Sequence, residues 1–536
     1  MLFNSSDFLL QFLPVVFLGF LLLAGLGWQR WVGLWLTASS LVFYGWWATS
    51  NVSLLIASIL FNYTMGGLLR RRRSRLLLAA GILGNVALLG YFKYTGFAVE
   101  VLRDLAGANW AVPHIILPLA ISFFTFQQIA YLVDAYDGAI TEHDFLNYAL
   151  FITFFPQLIA GPITHHREML AQFDDPDRFR PRWDLIALGV TMFCIGLFKK
   201  VMVADPFGTY ATPVFEAARE GGVQLIEAWG GALAYALQMY FDFSGYSDMA
   251  IGLGLLFGIM LPANFNSPYK ARNVIEYWSR WHMTLTRFLT AYIYNPIVVA
   301  ITRRRAAKGL PLPKRGRMTA GTFAALVAIP TVITMLISGV WHGAGWQFLI
   351  FGLLHGVFLV VAHGWRWWKV RRGLPLDSGG RVSMAGSVLL TFLCATVALV
   401  FFRADSVGAA LDVLRGMAGL NGVTLPTPFQ RLPGFAEAAA WFGVGIGNMP
   451  LFDAWLVIRI AVFLFVVWAL PNSNQWLRDY PTALGLRVEP NWLQRYVPIT
   501  RWRPTPAFGL PLGAVAIVTI LYAISVAPTE FLYFQF

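Results

Sequence analysis

Two cysteines and 12% charged residues are all that the 536 positions contain of either kind. Cys194 and Cys394 both lie in apolar runs, with no basic or histidine neighbour. That argues against a disulfide framework, an activated thiolate and a zinc site, so no metal is expected. Soluble domains carry about 25% charged residues, and half that share in so long a chain excludes an ordinary soluble fold. No phosphate-cradling glycine loop is present. No internal repeat stands out, and no linker is long or polar enough to mark a second soluble domain. The first apolar run, 8–28, lacks a basic flank before it and is too long for a signal-peptide core. It reads as a retained first helix.

What fills the chain is hydrophobicity in blocks. Hydrophobic residues make up 57% of it, in runs of roughly 17 to 25, the length that crosses a hydrocarbon core of about 30 Å. The expected spans are 8–28, 32–49, 53–69, 76–92, 114–134, 146–163, 185–206, 225–241, 244–260, 319–341, 345–364, 384–402, 455–470 and 509–527. The chain is therefore expected to be an all-α polytopic membrane protein and a single integral-membrane domain, with membrane lipids as its surroundings.

The formal charge of +13 invites a nucleic-acid reading, but its distribution excludes one. The basic residues cluster in short loops: Arg70, Arg71, Arg72, Arg73 and Arg75; Arg303, Arg304, Arg305, Lys308, Lys314, Arg315 and Arg317; Arg366, Lys369, Arg371 and Arg372. Cytoplasmic loops follow this positive-inside pattern, which puts the amino terminus outside. The Gly- and Pro-rich stretch 404–450 is expected to be an external loop with short helices. Two segments make poor simple spans. Pro156, Gly161 and Pro162 interrupt 151–164, and irregular backbone at membrane depth survives only where protein or a water-filled cavity surrounds it. The segment 277–300 mixes Arg280, His282, Thr284, Thr286 and Arg287 with aromatic residues and reads as a re-entrant or interfacial helix lining a cavity.

An ionisable group inside a membrane segment is costly and marks function by default. Of eight histidines, His114, His143, His165, His166 and His363 fall at span ends or in loops, where an imidazole needs no special role. His342 sits between two apolar runs, in Gly339-Val340-Trp341-His342-Gly343. An imidazole ordinarily titrates near pH 6.5 and suits proton transfer near neutrality. His342 is thus either a general base or a packed histidine bonded to a neighbouring helix. His282, in Glu276-Tyr277-Trp278-Ser279-Arg280-Trp281-His282, shares a helical face with Trp278, as Glu276 does with Arg280. These seven residues are either part of a site or a helix-anchoring aromatic belt with an ion pair. His355 lies thirteen residues beyond His342, about 20 Å along a helix, and is read as structural. Asp242, Ser244, Ser247 and Asp248 form a polar patch that either binds a polar substrate or satisfies itself at a helix junction. Gln127, Gln128 and Asp134 carry the same alternatives. Lys199 and Lys200 mark an interface or meet an anionic donor.

With these motifs on the page, the chain resembles the membrane-bound O-acyltransferase family, in the bacterial branch that holds the alginate O-acetyltransferase membrane subunit and the teichoic acid D-alanyl transferase. The resemblance runs from Met1-Leu2-Phe3-Asn4-Ser5 to Phe531-Leu532-Tyr533-Phe534-Gln535-Phe536. It is densest at Leu117-Pro118-Leu119-Ala120-Ile121-Ser122-Phe123-Phe124-Thr125-Phe126-Gln127, at Phe155-Pro156-Gln157-Leu158-Ile159-Ala160-Gly161-Pro162, and at Gln238-Met239-Tyr240-Phe241-Asp242-Phe243-Ser244-Gly245-Tyr246-Ser247-Asp248. The segments around His282 and His342 match as well. Beyond His282, relatives of the alginate enzyme often continue with a Tyr-Ile-Pro-Leu-Gly-Gly-like stretch, where this chain reads Tyr294-Asn295-Pro296-Ile297-Val298-Val299. The alginate substrate therefore does not follow.

The resemblance implies about 11–14 transmembrane or re-entrant helices around a central funnel or tunnel. It implies an O-acetyltransferase of the bacterial inner membrane, with His342 and His282 as catalytic residues. Trp278, Trp281, Arg280, Trp341, Asp242, Ser244 and Gln127 are the candidate substrate contacts. No bound cofactor is expected. The co-substrate would be a cytoplasmic thioester, acetyl-CoA or an acyl carrier, and the acceptor a hydroxyl of an envelope or exported polysaccharide, reached directly or through a periplasmic partner acetyltransferase. The rival readings are a transporter without chemistry, for which broken helices would also serve, and a long-chain acyltransferase acting on a lipid or protein.

Overall fold

The computed structural model describes residues 1–140, 144–175, 177, 179–312, 318–376, 379–497 and 501–532. His143, Lys314, Arg315, Arg317, Tyr533, Phe534, Gln535 and Phe536 lie outside the described residues.

Among the described residues, nine helices are long and apolar enough to cross a membrane: Asp7–Gly25, Thr49–Arg71, Arg75–Ala106, Trp183–Ala217, Met283–Ala307, Ala320–His342, Trp346–Arg371, Arg381–Arg403 and Pro506–Ser525. The chain is an all-α, multi-pass membrane protein. Its lipid-facing character shows in outward Leu, Val, Ile and Trp side chains along these helices. In water they would form apolar patches of a size that soluble monomers rarely expose.

Two units can be distinguished. The first comprises Met1–Met202, Asp242–Asn264 and Ser473–Phe536; the second comprises Val203–Phe241 and Phe265–Asn472.

In the first unit, the expected span 114–134 becomes helical only over Ile121–Tyr136. The stretch 151–164 breaks as its prolines require, into Phe145–Thr153 and Phe155–Leu158. Its irregular backbone is buried in protein, not lipid. The Phe155 amide donates to Ser40 Oγ at 3.1 Å, and the Gln157 side-chain amide donates to the Phe151 carbonyl at 2.6 Å.

The expected spans 225–241 and 244–260 are in fact one helix, Leu225–Leu256, whose residues to Phe241 belong to the second unit and those from Asp242 to the first. The polar patch needs no helix junction because both of its acids are paired. Lys200 Nζ lies 2.7 Å from Asp242 Oδ1, and Lys199 Nζ lies 2.5 Å from Asp248 Oδ2. An ammonium beside each carboxylate removes the reason to break the helix for solvation.

In the second unit, 277–300 is not one helix. A short helix, Val274–Trp278, ends in a turn, and a long one starts at Met283 and runs to Ala307. The apolar residues that follow Arg287 make this second part long and apolar enough to span. The stretch 404–450 holds short helices, Val407–Met417 and Phe435–Trp441, and a small parallel pair of strands, Thr424–Pro426 with Gly445–Gly447.

Candidate active site

Three elements of the second unit build the site. The first is the helix Ala320–His342, whose final residue is His342. The chain turns through Gly343, Ala344 and Gly345 and returns as Trp346–Arg371. The two helices pack backbone to backbone: a Cβ at Gly339 would overlap the Phe348 carbonyl, and one at Gly352 would overlap the Met335 carbonyl. Such small-residue crossings hold membrane helices at close range. Here the crossing lays the His342 ring against Phe351, with centroids 5.8 Å apart, and Phe402 of the helix Arg381–Arg403 meets it at 5.2 Å.

The third element is the turn after Val274–Trp278. Asn273 caps that short helix by accepting from the Glu276 amide at 3.0 Å. Arg280 pairs with Glu276 at 2.7 Å, as the spacing predicts, and Glu276 Oε2 accepts the Arg272 amide at 2.8 Å. Thr286 Oγ1 reaches back to the Trp278 carbonyl at 3.0 Å. At the apex, His282 adopts φ 43° and ψ 53°, in the left-handed region. Only two other non-glycine residues with positive φ occur among the described residues, Ala120 and Ser267. A non-glycine residue there costs about 1–2 kcal/mol, and such strain concentrates at functional sites. His282 and Trp278 therefore do not share a helical face: the helix ends at Trp278 and the turn re-aims the imidazole.

The histidines come together through aromatic rings. Trp341 has its centroid 6.2 Å from His282 and 4.9 Å from His342. Phe351 lies 4.7 Å from His355. The expectation that His355 stands about 20 Å from His342 along one helix is overturned by the reversal at 343–345. Trp278 closes the group by donating its indole N–H to His355 Nδ1 at 3.2 Å. His282, His342 and His355 are all buried. Trp281 stacks on Tyr277 at 5.6 Å and meets the edge of Phe265 at 5.1 Å, so it anchors the turn. The sequence signal for His355 was the ring-rich spacing of Phe351 and Phe358 around it, legible only once the turn is known.

Asp242, Ser244 and Gln127 belong to the first unit. Both Asp242 oxygens are engaged, one by Lys200 and the other by the Leu532 amide at 3.1 Å. Gln127 donates to Thr164 Oγ1 at 3.4 Å, and Thr164 donates to Gln157 at 2.8 Å, a buried polar chain beside the broken segment. Ser244 is buried, and its hydroxyl makes no hydrogen bond among the described residues. His166, expected at a loop end without a role, is buried with Nδ1 3.2 Å from Asp134 Oδ2. Neither ring nitrogen makes a hydrogen bond among the described residues. Burial therefore dominates, with Arg167 and His165 adding to it, and holds His166 down to about 4.

Comparison with known proteins agrees with this architecture. The family model described as the membrane-bound O-acyltransferase family matches residues 134–310. A peptidoglycan O-acetyltransferase of Helicobacter pylori is 42% identical over 459 residues, covering 79% of this chain and 81% of that protein. A probable alginate O-acetylase of Pseudomonas aeruginosa is 35% identical, covering 78% and 75%. A teichoic acid D-alanyltransferase of Bacillus subtilis is 28% identical, covering 52% and 67%. With its helical membrane architecture and this likeness along most of its length, the chain belongs to the membrane-bound O-acyltransferase family and is an O-acyltransferase.

Proposed function

We propose that this protein transfers an acetyl group from a cytoplasmic thioester, acetyl-CoA or an acyl carrier, to a hydroxyl of an envelope or exported polysaccharide, with the whole chain acting as one acyltransferase domain in the bacterial inner membrane. The observation that carries the reading is that His282 and His342 both lie against the Trp341 ring, with centroids 6.2 and 4.9 Å from it. The acceptor hydroxyl loses its proton to His342, and its oxygen attacks the thioester carbonyl. The tetrahedral oxyanion then collapses, breaking the carbon–sulfur bond and releasing the thiolate. A thiol ordinarily titrates at about 8.5, so the leaving group needs little acid help. His282 positions or polarises the reacting carbonyl, and no covalent enzyme nucleophile is required.

Two relatives in the comparison carry acetyl-transfer names, a peptidoglycan O-acetyltransferase and a probable alginate O-acetylase. The higher identity to the first favours a wall glycan over alginate as the acceptor. Transfer through a periplasmic partner acetyltransferase would carry the acetyl group onward while its carrier stays behind. The test is acetyl transfer from radiolabelled acetyl-CoA in membranes bearing wild-type or His342→Ala protein, with mass spectrometry of envelope polymers from a deletion strain. Unchanged acetylation in either arm would overturn the reading.

A further inference from the structure

A cavity of about 740 Å³ opens in the second unit at the basic end of Trp346–Arg371, bounded also by the first turns of Ala320–His342. The helix Trp346–Arg371 contributes His363, Arg366, Val370 and Arg371, and the helix Ala320–His342 contributes Phe323 and Val327. Trp367 forms part of the lining, stacked on Phe323 at 5.4 Å and tied by its indole N–H to the Met318 carbonyl at 3.0 Å. No Asp or Glu is among the described residues that line the cavity.

The same helix end carries a belt of tryptophans paired with cations. Lys369 lies over Trp365 at 5.8 Å, Arg371 over Trp367 at 5.7 Å and Arg372 over Trp368 at 5.4 Å. Tryptophans and cations gather in this way at the height of lipid headgroups. Arg366 is exposed, with no ion pair among the described residues.

We propose that this cavity binds the headgroup of an anionic phospholipid, the phosphate meeting Arg366 and Arg371 and the glycerol and first methylenes lying against Phe323, Val327 and Val370. A guanidinium offers parallel N–H donors that fit phosphate oxygens. The apolar lining decides the class of ligand. A free phosphate or a soluble anion would leave that lining wet, whereas a lipid covers it. The inference rests on the membrane-spanning architecture and is independent of the acyl chemistry.

Delipidated full-length protein in non-ionic detergent, titrated by native mass spectrometry, tests it. The probes are phosphatidylglycerol, phosphatidylcholine and inorganic phosphate. Wild-type protein should hold phosphatidylglycerol at least about tenfold more tightly than the variant R366Q/R371Q, given the contribution of each basic residue near a membrane surface. R366K/R371K, which keeps the charge but not the parallel donors, should bind more tightly than R366Q/R371Q and more weakly than wild type, and guards against a folding defect. R303Q/R304Q removes two exposed charges that do not line the cavity and should bind as wild type. Equal binding of phosphatidylcholine, an equal loss in R303Q/R304Q, or displacement by inorganic phosphate at equal concentration would each overturn the proposal.

Discussion

The indole N–H of Trp278 donates to Nδ1 of His355 at 3.2 Å, joining the turn that carries His282 to the helix that returns from His342. Because Nδ1 accepts, the neutral imidazole keeps its proton on Nε2. Trp278→Phe keeps an aromatic ring but leaves Nδ1 buried without its donor. It should cost about 1–3 kcal/mol, read as a lower thermal midpoint in detergent, together with a fall in acyl transfer. If acyl transfer and midpoint both stay at wild-type values, the bond does not position the turn.

His342→Ala should lower acyl transfer by about 10²- to 10⁴-fold, while insertion and thermal midpoint change little. His282→Ala should also lose activity without gaining stability, since alanine keeps the β-carbon that crowds the backbone at φ 43°, whereas His282→Gly removes it. The measurements are transfer from labelled acetyl-CoA and the midpoint of each variant. Glycine more active than alanine would contradict a chemical role for the imidazole.

Gly339→Leu should separate the helix pair that delivers His342, because its side chain would be forced into the Phe348 carbonyl. Overpacking of this kind costs about 1–3 kcal/mol or more. The expected result is a lower midpoint and an acyl-transfer loss approaching that of His342→Ala, although no chemical group has been removed.

The Lys200–Asp242 pair, with both side chains 2% exposed, should behave as a unit. Lys200→Met strands a buried carboxylate and should cost about 3–5 kcal/mol. Lys200→Met with Asp242→Leu should recover most of that loss. A double variant no more stable than the single one would show that Asp242 has a separate task. Because Lys200 also donates to the Glu530 carbonyl at 2.9 Å, the single variant should in addition expose the chain around Glu530 to proteolysis.

His166 predicts a pH dependence. Its folded value is about 4, against an ordinary 6.5, so below pH 6.5 the unfolded chain takes up the proton first. Stability from this group is complete above pH 6.5 and is lost as the pH falls through the window from 6.5 to 4. His166→Gln should flatten that part of the thermal-midpoint profile. An unchanged slope would place the acid sensitivity elsewhere.

Hydrophobic block length alone announced the membrane, because the hydrocarbon thickness fixes how many apolar residues a helix needs. Block boundaries were less legible where polar residues interrupted them. The acids at 242 and 248 read as a break because their partners, Lys200 and Lys199, lie more than forty residues away in sequence. The prolines in 151–164 were read correctly, since a missing amide breaks a helix wherever it occurs. Among the histidines, His342 and His282 stood out through their motifs. His355 did not, because spacing along one helix does not carry across the turn at 343–345 that reverses the chain.

By itself, the sequence determined that this is a helical membrane protein, with basic loops, broken segments and two motif histidines, and it carried enough of the family pattern to name the chemistry. Only the tertiary structure decided that a left-handed residue at 282, a glycine-packed reversal at 343–345 and a tryptophan bond from 278 bring three histidines into one ring cluster. Local periodicity reports how each helix is built. Which rings meet depends on long-range packing that one-dimensional spacing does not encode.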